Sequence, residues 1–186
     1  MPISILRLLA SVLSLALLVS TSATAESKLE MHRVGVNVDN GSGWYPAVST
    51  KGSFSVLLPI PFNDFTTSDP STDEVSHVVG GKSSEGIKFT AVELPVTAKT
   101  PVDLAAIPKS FSSNPANNVS DVSNTKDDVE NLFFSVANSA TTAHFRYIRM
   151  KGALYILTIE YPSAYRELVA EKKDTFFGSF KLKGKS

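Results

Sequence analysis

Most of this chain alternates apolar and polar residues with a period of two. That is the spacing of a strand with one face in a core and the other in water. Val34, Val36 and Val38 alternate with Arg33, Gly35 and Asn37. Phe54, Val56 and Leu58 alternate with Ser53 and Ser55, and Pro59 and Pro61 end that run because proline cannot donate to a ladder. Residues 76–82 and 87–96 read as two strands around the turn Ser83-Ser84-Glu85-Gly86. Residues 129–137, 141–150 and 153–161 are three more, the last two joined at Lys151-Gly152. In the final one, Tyr155, Leu157, Ile159 and Tyr161 form one apolar face. Leu154 and Ile156 occupy the other face, which places that strand at the centre of a sheet.

Turn and cap residues punctuate the rest. Asp39-Asn40-Gly41 suits a tight hairpin, with residues 44–50 as its returning strand. Residues 63–75 are polar and turn-rich and read as a surface loop; residues 112–126 read as a long loop with at most one short strand. Thr100-Pro101-Val102-Asp103 has the chemistry of a helix start, and Pro108 is expected to end or kink that helix. Pro162-Ser163 should stop a strand and begin a second helix running to about Phe177. Tyr165, Leu168, Val169 and Phe176 lie near one side of it. A short strand at 179–183 closes the chain. These pieces predict an α+β fold: an antiparallel sheet of about six to eight strands with two main helices packed on it.

The start of the chain has a different character. Arg7 is the only charged side chain before an apolar run from Leu8 to Val19. Ser20-Thr21-Ser22 follows, then Ala23-Thr24-Ala25, a small-x-small site for cleavage before Glu26. Residues 1–25 therefore read as a secretory signal peptide, too short to span a bilayer, which takes about 20 apolar residues. Its removal leaves residues 26–186 as a single domain with 17 Lys+Arg against 18 Asp+Glu. Near-neutrality argues against nucleic acid and against docking on anionic lipid, both of which need a basic surface. The chain has no cysteine, which removes disulfides, thiolate metal sites, a thiol nucleophile and a lipid-bearing cysteine. The expected product is soluble and unanchored, in a bacterial periplasm or secreted.

Reactive constellations are sparse. Gly81-Lys82-Ser83 resembles the end of a phosphate loop, but Ser76 stands where its first glycine is needed; Gly184-Lys185-Ser186 fails likewise at Ser179. His32, His77 and His144 are widely spaced and lack the i,i+4 pattern of helical metal sites. Asp64, Asp69, Asp73 and Glu74 supply oxygen ligands without the spacing of a calcium loop, so a solvated loop is the simpler reading. Asp127 and Asp128, beside Glu130, would point to opposite faces of a strand and cannot share a proton. No Gly-x-Ser-x-Gly occurs. One polar cluster remains as a candidate ligand face: His144 and Arg146 on one side of a strand, with Glu160 on the neighbouring strand and Arg149 on the opposite side. A cross-strand ion pair is the competing account of it. No catalytic residue, metal or cofactor is expected.

Two longer motifs point to a family. Gly52-Ser53-Phe54-Ser55-Val56-Leu57-Leu58-Pro59 resembles a strand near the start of the PsbP-like fold. Gly152-Ala153-Leu154-Tyr155-Ile156-Leu157, a helix, then Phe176-Phe177-Gly178-Ser179-Phe180-Lys181-Leu182 resembles its close. That superfamily is typified by an extrinsic subunit of the photosynthetic oxygen-evolving complex. It also includes a nuclear GTPase-binding protein and many exported bacterial proteins. The resemblance spans roughly residues 44–182 and implies a non-enzymatic accessory or binding domain with no catalytic set. The general secretory leader departs from the photosynthetic members, so no role in photosystem assembly is assigned. The leading expectation is a module contacting a partner protein in the cell envelope. Two others stand beside it: a periplasmic carrier of a small polar ligand or metal ion, using the His144/Arg146/Glu160 face or the acidic loop, and a hydrolase, since triads are defined by geometry.

Overall fold

A computed structural model describes residues 27–69, 74–96, 102–126, 129–150 and 152–184. The leader with Ala23, Ala25 and Glu26, the helix-start residues Thr100 and Pro101, and Asp127-Asp128 lie outside the described residues. In chain order the elements are β1 (Lys28–Val36), β2 (Tyr45–Val48), β3 (Phe54–Leu58), β4 (Phe62–Asp69), β5 (Glu74–Lys82), β6 (Lys88–Pro95), α1 (Ala106–Ser112), β7 (Asn118–Lys126), β8 (Glu130–Ala137), β9 (Thr141–Met150), β10 (Ala153–Pro162), α2 (Arg166–Gly178) and β11 (Lys181–Leu182). Eight strands form one antiparallel sheet in the order β1-β4-β5-β6-β10-β9-β8-β7, and β11-β3-β2 form a second sheet of three.

The α+β class is as expected, but the strands outnumber the expectation and divide between two sheets. The reason lies in β10, which runs between β6 and β9 and is apolar on both faces. Tyr155, Leu157, Ile159 and Tyr161 enter a core beneath the small sheet and α2, against Phe54, Val56 and Leu58 from β3 and Val169 and Phe176 from α2. Leu154 and Ile156 enter a second core on the reverse face, with Val92, Phe134 and Tyr147, covered by Leu104 and Ile107. A strand greasy on both sides needs two covers, and the chain supplies a sheet with a helix on one side and α1 on the other.

Several local expectations are corrected. Residues 63–69, read as part of a loop, belong to β4, and residues 118–126, read as loop with at most one short strand, form the nine-residue β7. The Asp39-Asn40-Gly41 turn forms, with Gly41 at φ 83°, yet it joins no hairpin: β1 pairs with β4 and β2 with β3. Bulges in β1 break its alternation, so Val36 packs on the core while Val34 and Val38 stand exposed. Pro108 does not end α1 but sits in its first turn, where a missing N–H removes no helical bond. Asp103 Oδ1 accepts from the backbone N–H of Ala105 at 3.0 Å just ahead of that helix. In α2, Val169, Phe176 and Phe177 are buried, whereas Tyr165 and Leu168 are exposed. Tyr165 belongs to the 3-10 turn before the helix, and Leu168 is rotated by about 100° from Val169.

Asp64 couples the two sheets. It is fully buried on β4, and its Oδ2 accepts from Arg33 Nε (3.1 Å) and Nη2 (2.7 Å) on β1. The same oxygen accepts from Thr50 N (2.8 Å) and Oγ1 (2.6 Å), just beyond β2. Arg33 Nη2 also donates to the Val48 carbonyl. A charge so enclosed is tolerable only while its donors stay in place. Asp64→Ala would strand Arg33 and the Thr50 N–H at the junction and should cost about 3 kcal/mol in urea unfolding.

Candidate functional site

A cleft of about 370 Å³ opens between α2 and strands β8 and β9, with His144, Arg146, Ser135, Asp121 and Lys173 among its walls. Strand register sets what it contains. His144 and Arg146 alternate on β9 and lie opposite Ile159 and Leu157 of β10, so both side chains fall on the α2 side of the sheet. Ser135 of β8 is directly opposite His144.

His144 is held at both ring nitrogens: Nδ1 lies 2.8 Å from Ser135 Oγ and Nε2 2.9 Å from the Tyr161 hydroxyl. Hydrogen bonds from Ser135 and then Ser120 hold the Asp121 carboxyl below its ordinary value. With the Ser135 proton given to Asp121, His144 donates through Nδ1–H to Ser135 Oγ and accepts the Tyr161 proton at Nε2. Donation then runs one way from Tyr161 to Asp121, with a neutral imidazole between. Burial is the main cause of a lowered His144 pKa, Lys173 and Arg166 add to it, and Asp121 opposes it. Burial also raises the Tyr161 pKa, which keeps its hydroxyl protonated.

Arg146 is committed to structure. Its Nη1 donates to the Phe177 carbonyl at 2.5 Å, satisfying one of the orphan carbonyls at the end of α2. Nη2 donates to Asn131 Oδ1 at 3.1 Å, and the guanidinium lies 5.1 Å from the centre of the Phe133 ring.

The third predicted residue is elsewhere. Glu160 lies opposite Ala143 and Lys88, on the reverse face of the sheet, and its Oε1 pairs with Lys88 Nζ at 2.8 Å. Arg149 is on that face too, 3.2 Å from Glu130 Oε2. Of the acidic residues read as a loop, Asp64 is the buried junction just described, Asp69 ends β4 and Glu74 begins β5, while Asp73 lies outside the described residues. His32 and His77, distant in sequence, meet at Thr66, whose Oγ1 is 2.8 Å from His32 Nε2 and 3.2 Å from His77 Nδ1. Among the described residues no group of three or more His, Asp or Glu side chains is arranged to hold a metal ion. Nor does any described helix have the length and apolar character to cross a membrane.

Sequence reasoning missed Ser135, Tyr161 and Asp121. The first two follow only from register. Asp121 follows from an irregularity: β7 loses register between Ser120 and Ser123, and Asp121 takes φ 56°. Simple alternation from Ser120, the partner of Ser135, would send the next side chain to the reverse face. The bulge and positive φ bring the carboxylate to Ser135 instead.

The Ser135–His144 pair invites a hydrolytic reading, and its surroundings argue against one. Ser135 is buried in a strand flanked by β7 and β9. The far side of the imidazole meets a tyrosine hydroxyl, not a carboxylate. No family model matches the chain, and no curated protein is significantly similar to it.

His144 and His77 both have folded-state pKa values lowered from 6.5, chiefly by burial. Around His77, Glu93 and Asp64 partly offset that effect, while His32 and Lys183 reinforce it. The unfolded chain therefore takes up these protons first. The stability from the neutral rings is complete above pH 6.5 and is lost as pH falls from there through the folded values. Chemical denaturation midpoints should drop between pH 7 and 5, and His144→Asn should flatten part of that slope.

Proposed function

We propose that the chain is an exported, soluble, non-enzymatic binding module of PsbP-like kind that contacts a partner protein in the cell envelope. What supports the kinship is that its two motifs meet: β3, from the Gly52–Pro59 stretch, pairs with β11, from the closing one. The observation that carries the binding role is the edge strand β1. It borders the large sheet, and beyond β4 it has no neighbour among the described residues. Leu29 (44% exposed) and Met31 (41%) share one face, Lys28 and Glu30 the other, and Val34 (73%) and Val38 (77%) follow. An open row of backbone donors and acceptors with alternating apolar and charged side chains suits an extended segment of a partner polypeptide, added as a ninth strand.

The test is capture from envelope extract on the immobilised protein, beside the double variant Leu29→Lys/Met31→Lys. A partner retained by the parent and lost by the variant, at unchanged melting temperature, is the expected result. Identical retention by both, or ester turnover abolished by Ser135→Ala, would overturn the proposal.

A second reading, a periplasmic carrier of a small polar ligand, is favoured by the cleft itself, where charged side chains converge beside aromatic walls.

A further inference from the structure

The cleft beside α2 carries opposite charges on opposite walls. Asp121 projects from the β7 side and Lys173 from α2. Each feels the other's field, since Lys173 helps hold the Asp121 carboxyl down. Yet no ion pair joins them among the described residues. Between them lies a space of about 370 Å³, within the range of small-molecule sites. Phe133 and Phe177, packed edge to face at 6.1 Å, form an apolar part of its lining. Arg146 stands behind as a second cation, and Asp174 on α2 adds a second carboxylate at the opening.

The backbone at Asp121 points the same way. A non-glycine residue at φ 56° is uncommon, and such strain collects where a side chain must be aimed. Here the bulge delivers a carboxylate to the cleft that regular pairing would have turned away. Asp121 keeps its hydrogen bonds from Ser135 and Ser120 and still makes no direct pair with Lys173 across the gap. A gap with a cation on one side and an anion on the other is instead complementary to a molecule carrying both charges.

We propose that this cleft binds a small dipolar ligand of the α-amino acid class. Its ammonium faces Asp121, its carboxylate faces Lys173, and an apolar side chain lies against Phe133 and Phe177. The inference rests on the carrier reading above and names its ligand. Both charges are required: a monoanion would meet Asp121 and Asp174 unpaired, and a monocation would meet Lys173 unpaired. Arg146, whose Nη1 and Nη2 are held by Phe177 and Asn131 while its buried Nε–H has no partner, supplies field to the site.

Protein produced from the full chain would be titrated calorimetrically with L-phenylalanine and L-leucine, then with N-acetyl-L-phenylalanine and L-phenylalaninamide, which each lack one charge. Saturable binding of the free amino acids, weakened about tenfold or more in each blocked analogue, is expected, since one charge-assisted hydrogen bond is lost each time. Lys173→Gln should weaken L-phenylalanine about tenfold and leave the amide unchanged; Asp121→Asn should weaken L-phenylalanine and leave the N-acetyl compound unchanged. Asn also tolerates a positive φ, so the fold is kept, and unchanged melting temperatures would verify this for both variants. Equal binding of the blocked analogues would overturn the dipolar assignment while leaving the carrier reading standing. No saturable binding of any probe at millimolar concentration would overturn the assignment outright.

Discussion

The two-faced burial of β10 is the constraint on which the rest depends. Its ladder partner β9 runs along its whole length and β6 along residues 153–160, and every apolar side chain it projects must be shielded. On one side this recruits α2 and the three-stranded sheet, on the other α1. The cleft follows from the same geometry. α2 covers the sheet where Val169, Phe176 and Phe177 reach into the core, and near its C-terminal end the β8–β9 surface beside it carries His144, Ser135 and Arg146. Most polar atoms at that depth have partners: the imidazole two, the guanidinium a helix carbonyl and an amide, with only Arg146 Nε left over among these groups.

The parts legible in the sequence are those whose own side chains fill a core. β5, β6, β8, β9 and β10 have clear apolar periodicity and lie where expected, and the central place of β10 followed from Leu154 and Ile156 alone. β4 and β7 were illegible for a physical reason. Thr66, Thr67 and Ser68, or Ser120, Ser123 and Asn124, have little apolar signal, and they become strands because a neighbour offers a ladder. The pairing of β1 and β2 was misjudged because a local turn signal at Asn40-Gly41 says nothing about which distant strand wins the edge.

The site divides in the same way. His144 and Arg146 share a face by alternation, which sequence can state. Which face Glu160 shares with them depends on register across β9 and β10, where Ala143 is its partner. Asp121 depends on a bulge, which no alternation rule anticipates. In sequence Asp64 reads as a solvated acid because its neighbours are polar. Its burial is decided by Arg33 and Thr50, 31 and 14 positions earlier in the chain.

The small sheet has its own lesson about assembly. Its central strand, β3, takes one partner from β2 nearby and the other from β11 near the end of the described chain. Ser179 Oγ accepts the Leu57 N–H, and Lys183 Nζ donates to the Ser49 carbonyl, so these last contacts bridge more than a hundred positions. A ribosome releases residues in order, and the buckle that fastens this cover emerges more than a hundred positions after β3. Until it does, Phe54 lacks the Phe180 ring that stacks on it at 6.3 Å, and β3 keeps one edge open.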